Sequence, residues 1–198
     1  MPEIYKDIIQ LEPEWFAIKL GKIGASSMGK VLMGGGKTRK SYMLKLAAER
    51  LTGERIETYS NAAMQRGIEL EPEARQAYEF IKDVEVVQVG WVERNKDIGC
   101  SPDGTVNDNG LVEIKCPLAT TCIEYHTHPK GWVPPEYRPQ LQAQLWVCER
   151  EWVDFFVYHP RLKPLLLRVE RDEPYIATIE KETLLFLEEL KGIVEKLK

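Results

Sequence analysis

The order of hydrophobic patterns along this chain predicts an α+β fold, an α/β/α sandwich with a central mixed β-sheet flanked by helices. Helix-period patterns occupy the chain as far as Ile81, strand-period patterns run from Val84 to Lys115, and a helix, two strands and a last helix close it. At 198 residues, 43% hydrophobic and 29% charged, the chain has the length and mix of one soluble globular domain, read as residues 1–198 without a break. The same composition argues against disorder, collagen and a disulfide-stapled miniprotein.

Pro13 and Glu14 open a short helix through Trp15 to Leu20, proline suiting a first helical turn. Ser26 or Ser27 can cap a second, to about Met33, which Gly34-Gly35-Gly36 ends. Lys40–Leu51 is a third, closed by Thr52-Gly53. Ser60–Ile81 reads as a long helix, with Ala63, Gly67, Leu70, Ala74, Ala77 and Tyr78 three and four apart. Strands follow at Val84–Glu93, Ile98–Ser101, Gly104–Asn107 and Leu111–Lys115, and Asn107-Asp108-Asn109-Gly110 is a strong hairpin turn between the last two. Pro135–Cys148 is helical, Trp152–Tyr158 and Leu165–Val169 are strands, and Tyr175–Leu197 is an amphipathic helix with Ile179, Leu187 and Leu190 on its apolar side.

No apolar run nears the roughly 18 residues of a membrane span. The N-terminus lacks the basic-then-apolar order of a signal peptide, so a cytoplasmic protein without membrane attachment is expected. Cys100, Cys116, Cys122 and Cys148 form no C-x-x-C pair and match no zinc spacing, which predicts reduced, buried thiols. The net charge of −4 argues against a nucleic-acid partner. Its distribution argues the other way: Lys19–Arg55 carries nine basic and two acidic residues, net +7, whereas residues 1–18 sum to −3 and 56–198 to −8. Such a stretch is either a solvated helical face or a local anion-binding surface.

The strongest chemical signal is Ser101-Pro102-Asp103-Gly104 followed by Glu113-Ile114-Lys115. Glu113 and Lys115, two apart on a strand, share a face, and the hairpin brings Asp103 back beside Glu113. Two carboxylates and an ammonium then converge, oxygen ligands of a kind that suits Mg²⁺ or Mn²⁺, with a lysine placed to help deprotonate water. That is the machinery of phosphodiester hydrolysis; an exposed Glu113–Lys115 salt bridge is the alternative. In Arg66-Gly67…Glu71-Pro72-Glu73-Ala74-Arg75, the Glu71 carboxylate could project toward the same point, or simply belong to an acidic helix. Gln140 and Gln144, at i and i+4, share a helix face while Gln142 lies apart; they could position water or phosphate, or be solvated. Gly34-Gly35-Gly36-Lys37-Thr38 is not a P-loop, because Val31 stands where its first glycine belongs, and reads as a flexible loop bearing Lys37, Arg39 and Lys40. His126-Thr127-His128 reads as a structural or surface pair rather than a metal pair.

Asp103 followed by Glu113-x-Lys115 resembles the signature of the PD-(D/E)XK nuclease superfamily, whose restriction-endonuclease-like core is a mixed sheet between helices. The surroundings resemble the phage lambda exonuclease family of viral alkaline exonucleases and recombinases. The resemblance runs through Glu14-Trp15, Lys19-Leu20-Gly21-Lys22-Ile23-Gly24-Ala25-Ser26, Arg66-Gly67 to Arg75, Cys100 to Gly104, Val112 to Pro117, Gln140-Leu141-Gln142 to Trp146, His159-Pro160-Arg161 and Glu170 to Glu173. It implies a Mg²⁺-dependent exonuclease, with two ions per site and Mn²⁺ a possible substitute. Such an enzyme digests the 5′-ended strand of linear duplex DNA to mononucleotides and leaves a 3′ overhang. It also implies Asp103, Glu113, Glu71 and the Ile114 carbonyl as metal ligands, Lys115 as activator of water, and Gln142 or Gln140 as support. Lys19, Ser26 and Ser101 would hold the terminal 5′-phosphate, and Lys22, Lys37, Arg39, Lys40 and Gln140 would contact DNA. A homotrimeric ring, a phage-type single-strand annealing partner and a phage or prophage gene acting in a bacterial cytoplasm complete the expectation.

Two departures stand out. The family's arginine before Leu20-Gly21 is Lys19 here, a point charge without a bidentate fork. A position that is basic in the lambda enzyme is Thr121. The competing readings are an iron–sulfur nuclease, disfavoured because no cysteine follows Cys148; an endonuclease or junction resolvase; and a non-catalytic recombination scaffold, disfavoured by the intact Asp103, Glu113 and Lys115.

Overall fold

The structure is a computed structural model, and it describes residues 1–56 and 62–198; the expected helix start at Ser60 lies outside them. In chain order the elements are β1 (Glu3–Tyr5), α1 (Pro13–Lys19), β2 (Ile23–Gly24), α2 (Met28–Val31), α3 (Lys37–Thr52) and α4 (Ala62–Lys82). Then come β3 (Val86–Val87), β4 (Trp91–Asn95), β5 (Ile98–Cys100), β6 (Gly104–Val106) and β7 (Gly110–Lys115). Last are α5 (Ala119–Thr127), α6 (Arg138–Cys148), β8 (Trp152–Val157), β9 (Leu165–Glu170) and α7 (Glu173–Glu195). Among the described residues no helix is long and apolar enough to cross a membrane.

The strands form two mixed sheets. One has the order β1-β4-β5-β2 and the other β3-β6-β7-β8-β9. In the larger sheet β7 runs parallel to β8 from Gly110 opposite Trp152 to Lys115 opposite Val157, and its other neighbours are antiparallel. Both faces of β7 and β8 are covered, so their residues read as nearly unbroken burial. Leu111, Val153, Phe155 and Val157 join a core with α2, α3, α6 and α7. Val112, Ile114, Trp152 and Phe156 alternate with them and pack on Ala74 and Tyr78 of α4. The layers are thus α4, the larger sheet, and the helices on its far face, the sandwich that the pattern predicts.

The hairpin at Asn107–Asn109 forms as expected, with Asn107 at φ +51° and Val106 paired to Gly110. Gly104 is required there because a Cβ would overlap Val86 Cγ1 of the neighbouring strand. Elsewhere the structure corrects the reading. Val84–Glu93 is not one strand: β3 and β4 belong to different sheets. The chain crosses between them where side chains take its carbonyls, Gln10 donating to Val89 O at 2.9 Å and Trp15 Nε1 and Ser101 Oγ to Gly90 O at 2.9 and 2.7 Å. Lys37, Arg39 and Lys40 are not on a flexible loop. They lie in the first turn of α3, because helix resumes as soon as Gly36 is passed and Arg39 packs over Phe186. The His126 segment is helix α5; its ring bonds Lys163 O at 2.9 Å, and His128 stacks on Trp132 with centroids 3.6 Å apart. All four cysteines are free and buried.

Asp154, 1% exposed, locks α4 to the sheet: it accepts from Tyr78 Oη at 2.8 Å and from Arg168 Nε and Nη2 at 2.8 and 2.9 Å. Removing one partner of a buried ionic network leaves the others uncompensated. Asp154→Ala is therefore expected to lower the unfolding free energy by about 3 kcal/mol or more, measured by urea denaturation.

Candidate active site

The hairpin β6–β7 and the helices α4 and α6 on either side of it bring the chemical groups together. Asp103, at the foot of β6, accepts the Ile114 N–H on Oδ2 at 2.6 Å, so the turn returns it to β7 as its spacing predicts. Glu113 lies on the α6 face and is 2% exposed. Its Oε1 accepts from Gln140 Nε2 and its Oε2 from Gln144 Nε2, each at 2.6 Å, and Lys115 Nζ pairs with Oε1. The Lys115 ammonium also sits 5.3 Å from the Tyr137 ring centroid. From α4, Glu71 lies within electrostatic reach of Glu113 and Lys115 and is paired with Arg75 one turn on. Pro72 next to it cannot donate the N–H that would bond the Ile68 carbonyl.

Burial, then the charge of Glu113, push the Asp103 carboxyl well above the usual carboxylate range; Lys115 and the Ile114 N–H pull back. Glu71 is raised by burial and Glu113, with Arg75 opposing. Burial works against the charged Lys115, but Glu113 and Asp103 outweigh it and raise its value. This is a crowded set of carboxylates that a positive charge would relieve. A hard divalent cation fits its chemistry, since every candidate donor is oxygen: Asp103, Glu113, Glu71 and the Ile114 carbonyl. Among the described residues, no three of these side chains stand close enough to hold an ion as they are. Ligation would require Lys115 to release Glu113 and Arg75 to release Glu71.

The glutamines divide as helix geometry dictates. Gln140 and Gln144 both reach Glu113, so the expected contact of Gln140 with DNA would be made from beside that carboxylate. Gln142 points away: it donates to Glu170 O at 2.8 Å and accepts the Asp172 N–H at 2.9 Å, so its expected support of the site is a correction. Gln144, which the i, i+4 pattern sets on the face of Gln140, is a residue of the site that the family motifs do not mark. Its Oε1 is buried without a partner among the described residues.

The expected phosphate residues lie around α1. Lys19 stacks on Trp15, Nζ 3.1 Å from the ring centroid, and Trp15 Nε1 donates to Ser101 Oγ at 2.8 Å. Burial, then the nearby Arg55, lower the Lys19 ammonium to about 7. Ser101 Oγ already donates to Gly90 O, and would have to turn to reach an anion. Ser26 is exposed, in the turn after β2, which runs parallel to β5 with Gly24 opposite Gly99 and so approaches Ser101. Two expected DNA contacts are occupied. Lys22 is ion-paired with Glu93, and Arg39, 8% exposed, holds Glu189 with both nitrogens at 2.7–2.8 Å. Lys37 and Lys40 are exposed, without an ion-pair partner among the described residues. Sequence reasoning missed Trp15 as the platform for Lys19, although the two are four apart on one helix, and missed Arg75 as the partner of Glu71.

The sandwich and the hairpin that joins Asp103 to Glu113 and Lys115 define a nuclease core of the PD-(D/E)XK class. Residues 14–151 match the family described as the YqaJ-like viral recombinase domain, and the chain belongs to that family. It is similar to an alkaline exonuclease, LHK-Exo, from Laribacter hongkongensis: 43% identity over 94% of this chain and 96% of that one, with a TM-score of 0.84. The complex of LHK-Exo with dAMP aligns equally, at 44% identity, the same coverage and a TM-score of 0.85. A phage-related exonuclease from Haemophilus somnus shares the fold at 16% identity, with a TM-score of 0.69 over 89% of this chain and 96% of that one. None of the curated proteins is similar enough to match.

A carboxyl raised by folding binds its proton more tightly in the folded state, so its charged form costs stability as pH rises through the folded value. Asp103→Asn keeps an acceptor for the Ile114 N–H and removes that charge. In metal-free buffer the variant is expected to melt a few degrees above wild type at pH 8, with the gain shrinking toward pH 5; scanning calorimetry across that range checks it.

Proposed function

We propose that this chain is a divalent-metal-dependent exodeoxyribonuclease that digests the 5′-ended strand of linear duplex DNA to mononucleotides, leaving a 3′ single-stranded overhang for annealing in recombination. That it is an exodeoxyribonuclease rests on family membership and on the 43% identity with an alkaline exonuclease along 94% of the chain. The observation that carries the finer reading is the meeting of Asp103, Glu113 and Lys115 at one end of the hairpin, with Glu71 in reach. The binding of dAMP, a 5′-mononucleotide, by LHK-Exo supports mononucleotide release.

Asp103, Glu113, Glu71 and the Ile114 carbonyl would hold the metal, Mg²⁺ or Mn²⁺, at two ions per site. The bound metal supplies the charge that acidifies water and offsets the leaving oxygen. Gln140 and Gln144 fix both oxygens of Glu113, so this carboxylate is oriented before substrate arrives. Lys115, freed from Glu113, has an ammonium that can hold the attacking water beside the scissile phosphate. Lys19 with Ser26 and Ser101 would take the terminal phosphate and set which bond lies at Lys115. Three copies would form a ring around the duplex, and a single-strand annealing protein would take up the overhang. Phe80, 89% exposed near the end of α4, is apolar surface that a subunit contact would cover.

Asp103→Ala and Lys115→Ala are each expected to abolish digestion of end-labelled linear duplex while DNA-end binding persists. Closed circular duplex should survive wild type with Mg²⁺, and label at the 5′ end should be released first. Digestion of the circle would show an endonuclease instead, and wild-type rates in either variant would sink the assignment. Native mass spectrometry is expected to give a species of three copies; a monomer at micromolar concentration would refute the ring.

A further inference from the structure

Arg55 lies next to Lys19 because a buried carboxylate ties their two segments together. Glu49 of α3, 5% exposed, accepts the Gly21 N–H on one oxygen at 3.1 Å and the Ile56 N–H on the other at 3.3 Å. Gly21 follows Lys19 by two residues and Ile56 follows Arg55 directly. Arg50 strengthens the first tie, Nε donating to Gly21 O at 2.7 Å. The two cations then rest on adjoining rings of α1. Lys19 Nζ is 3.1 Å from the Trp15 centroid, Arg55 Cζ is 3.5 Å from the Phe16 centroid, and the rings meet edge to face at 5.0 Å. No carboxylate among the described residues pairs with either cation, in contrast to Lys22, Arg39, Lys45 and Arg50 of the same basic stretch.

Two like charges held side by side, without a counter-ion among the described residues, disfavour each other, and after burial the field of Arg55 is the next force that lowers Lys19. A dianion between them removes the repulsion and restores full charge to Lys19. The aromatic support of Lys19 is joined to the hairpin, since Trp15 also bonds Ser101, two residues before Asp103. A lysine alone offers phosphate a point charge; an arginine adds a planar fork that can take two phosphate oxygens at once.

We propose that Arg55 is a binding residue for the terminal 5′-phosphate, clamping it with Lys19 and supplying the bidentate contact that Lys19 cannot make. This rests on the reading of Lys19 as part of a 5′-phosphate site, and names the second half of it. The ligand class is a phosphomonoester dianion, so a 5′-hydroxyl end gains nothing from Arg55.

The test is binding, read by fluorescence anisotropy in chelator, of a labelled blunt duplex carrying either 5′-phosphate or 5′-hydroxyl at its free end. Wild type is expected to prefer the phosphorylated end. Arg55→Ala is expected to lose roughly tenfold in affinity for the phosphorylated end, the size of one charge-assisted contact, and to bind the hydroxyl end unchanged. Arg55→Lys should recover only part of the loss. If Arg55→Ala keeps the wild-type preference while Lys19→Ala abolishes it, the phosphate site stands and the role of Arg55 falls. Equal weakening at both ends would make Arg55 a general electrostatic contact and overturn the proposal. If wild type shows no preference, the phosphate site itself is wrong. A melting curve for each variant, unchanged at exposed Arg55, separates lost binding from lost fold.

Discussion

A carboxylate buried at the centre of the sheet is the constraint around which the rest of the site is arranged. Glu113 is 2% exposed, and a buried charge is tolerated only with near-complete hydrogen bonding. Lys115 comes from the same strand, but the two amide donors must come from α6, which therefore has to lie across β7 with one face turned inward. Gln140 and Gln144 set that rotation. Gln142, two positions from each, is carried round to the opposite flank and fastens α6 to the end of β9 and the start of α7. Three glutamines in five residues thus hold one helix from two sides. The cost of burying Glu113 is offset by a set of contacts that also fixes where its oxygens point.

The basic stretch needs a similar division. Its net of +7 is not a uniform surface. Lys45 pairs with Glu49 one turn on in α3, whereas Lys22, Arg39 and Arg50 answer acids far along the chain: Arg39 holds α3 to α7, and Lys22 and Arg50 tie the start of β2 and the end of α3 to the β4–β5 hairpin. What is left as an attractive field for an anion is Lys19 and Arg55 on the aromatic rings of α1, Lys30 near the Tyr42 ring, and exposed Lys37 and Lys40. The acidic balance of the whole chain conceals this patch, because part of the acidity is the cluster Glu71, Asp103 and Glu113, whose own repulsion favours a cation.

What could be read from the chain and what could not differ by the distance over which the deciding contacts act. Asp103 and the Ile114 N–H are eleven residues apart and joined by a tight turn, so the strand period of two and the Asn-rich turn suffice to place them. The same holds for Glu113 and Lys115 on one face, and for Gln140 with Gln144. The same periodicity turns Gln142 off that face, toward Glu170 and Asp172, where family motifs alone would set it beside Glu113. β1 and β2 are three and two residues long, too short to show a period, and exist through pairing with β4 and β5. The break between β3 and β4 depends on Gln10, Trp15 and Ser101 bonding the crossing carbonyls, and none of these is its neighbour in sequence.

Arg39 makes the point most sharply, because its partner Glu189 is 150 residues away. By local pattern it is one more cation beside a glycine-rich turn, equal to Lys37 and Lys40. In the fold it faces inward over Phe186 and both of its terminal nitrogens are taken. A charge count treats all such residues alike, whereas function depends on which of them the tertiary structure leaves without a counter-ion. Lys19 and Arg55 also rest on aromatic rings, as Arg39 does, but no carboxylate among the described residues neutralises them, which leaves their charge open to an anion.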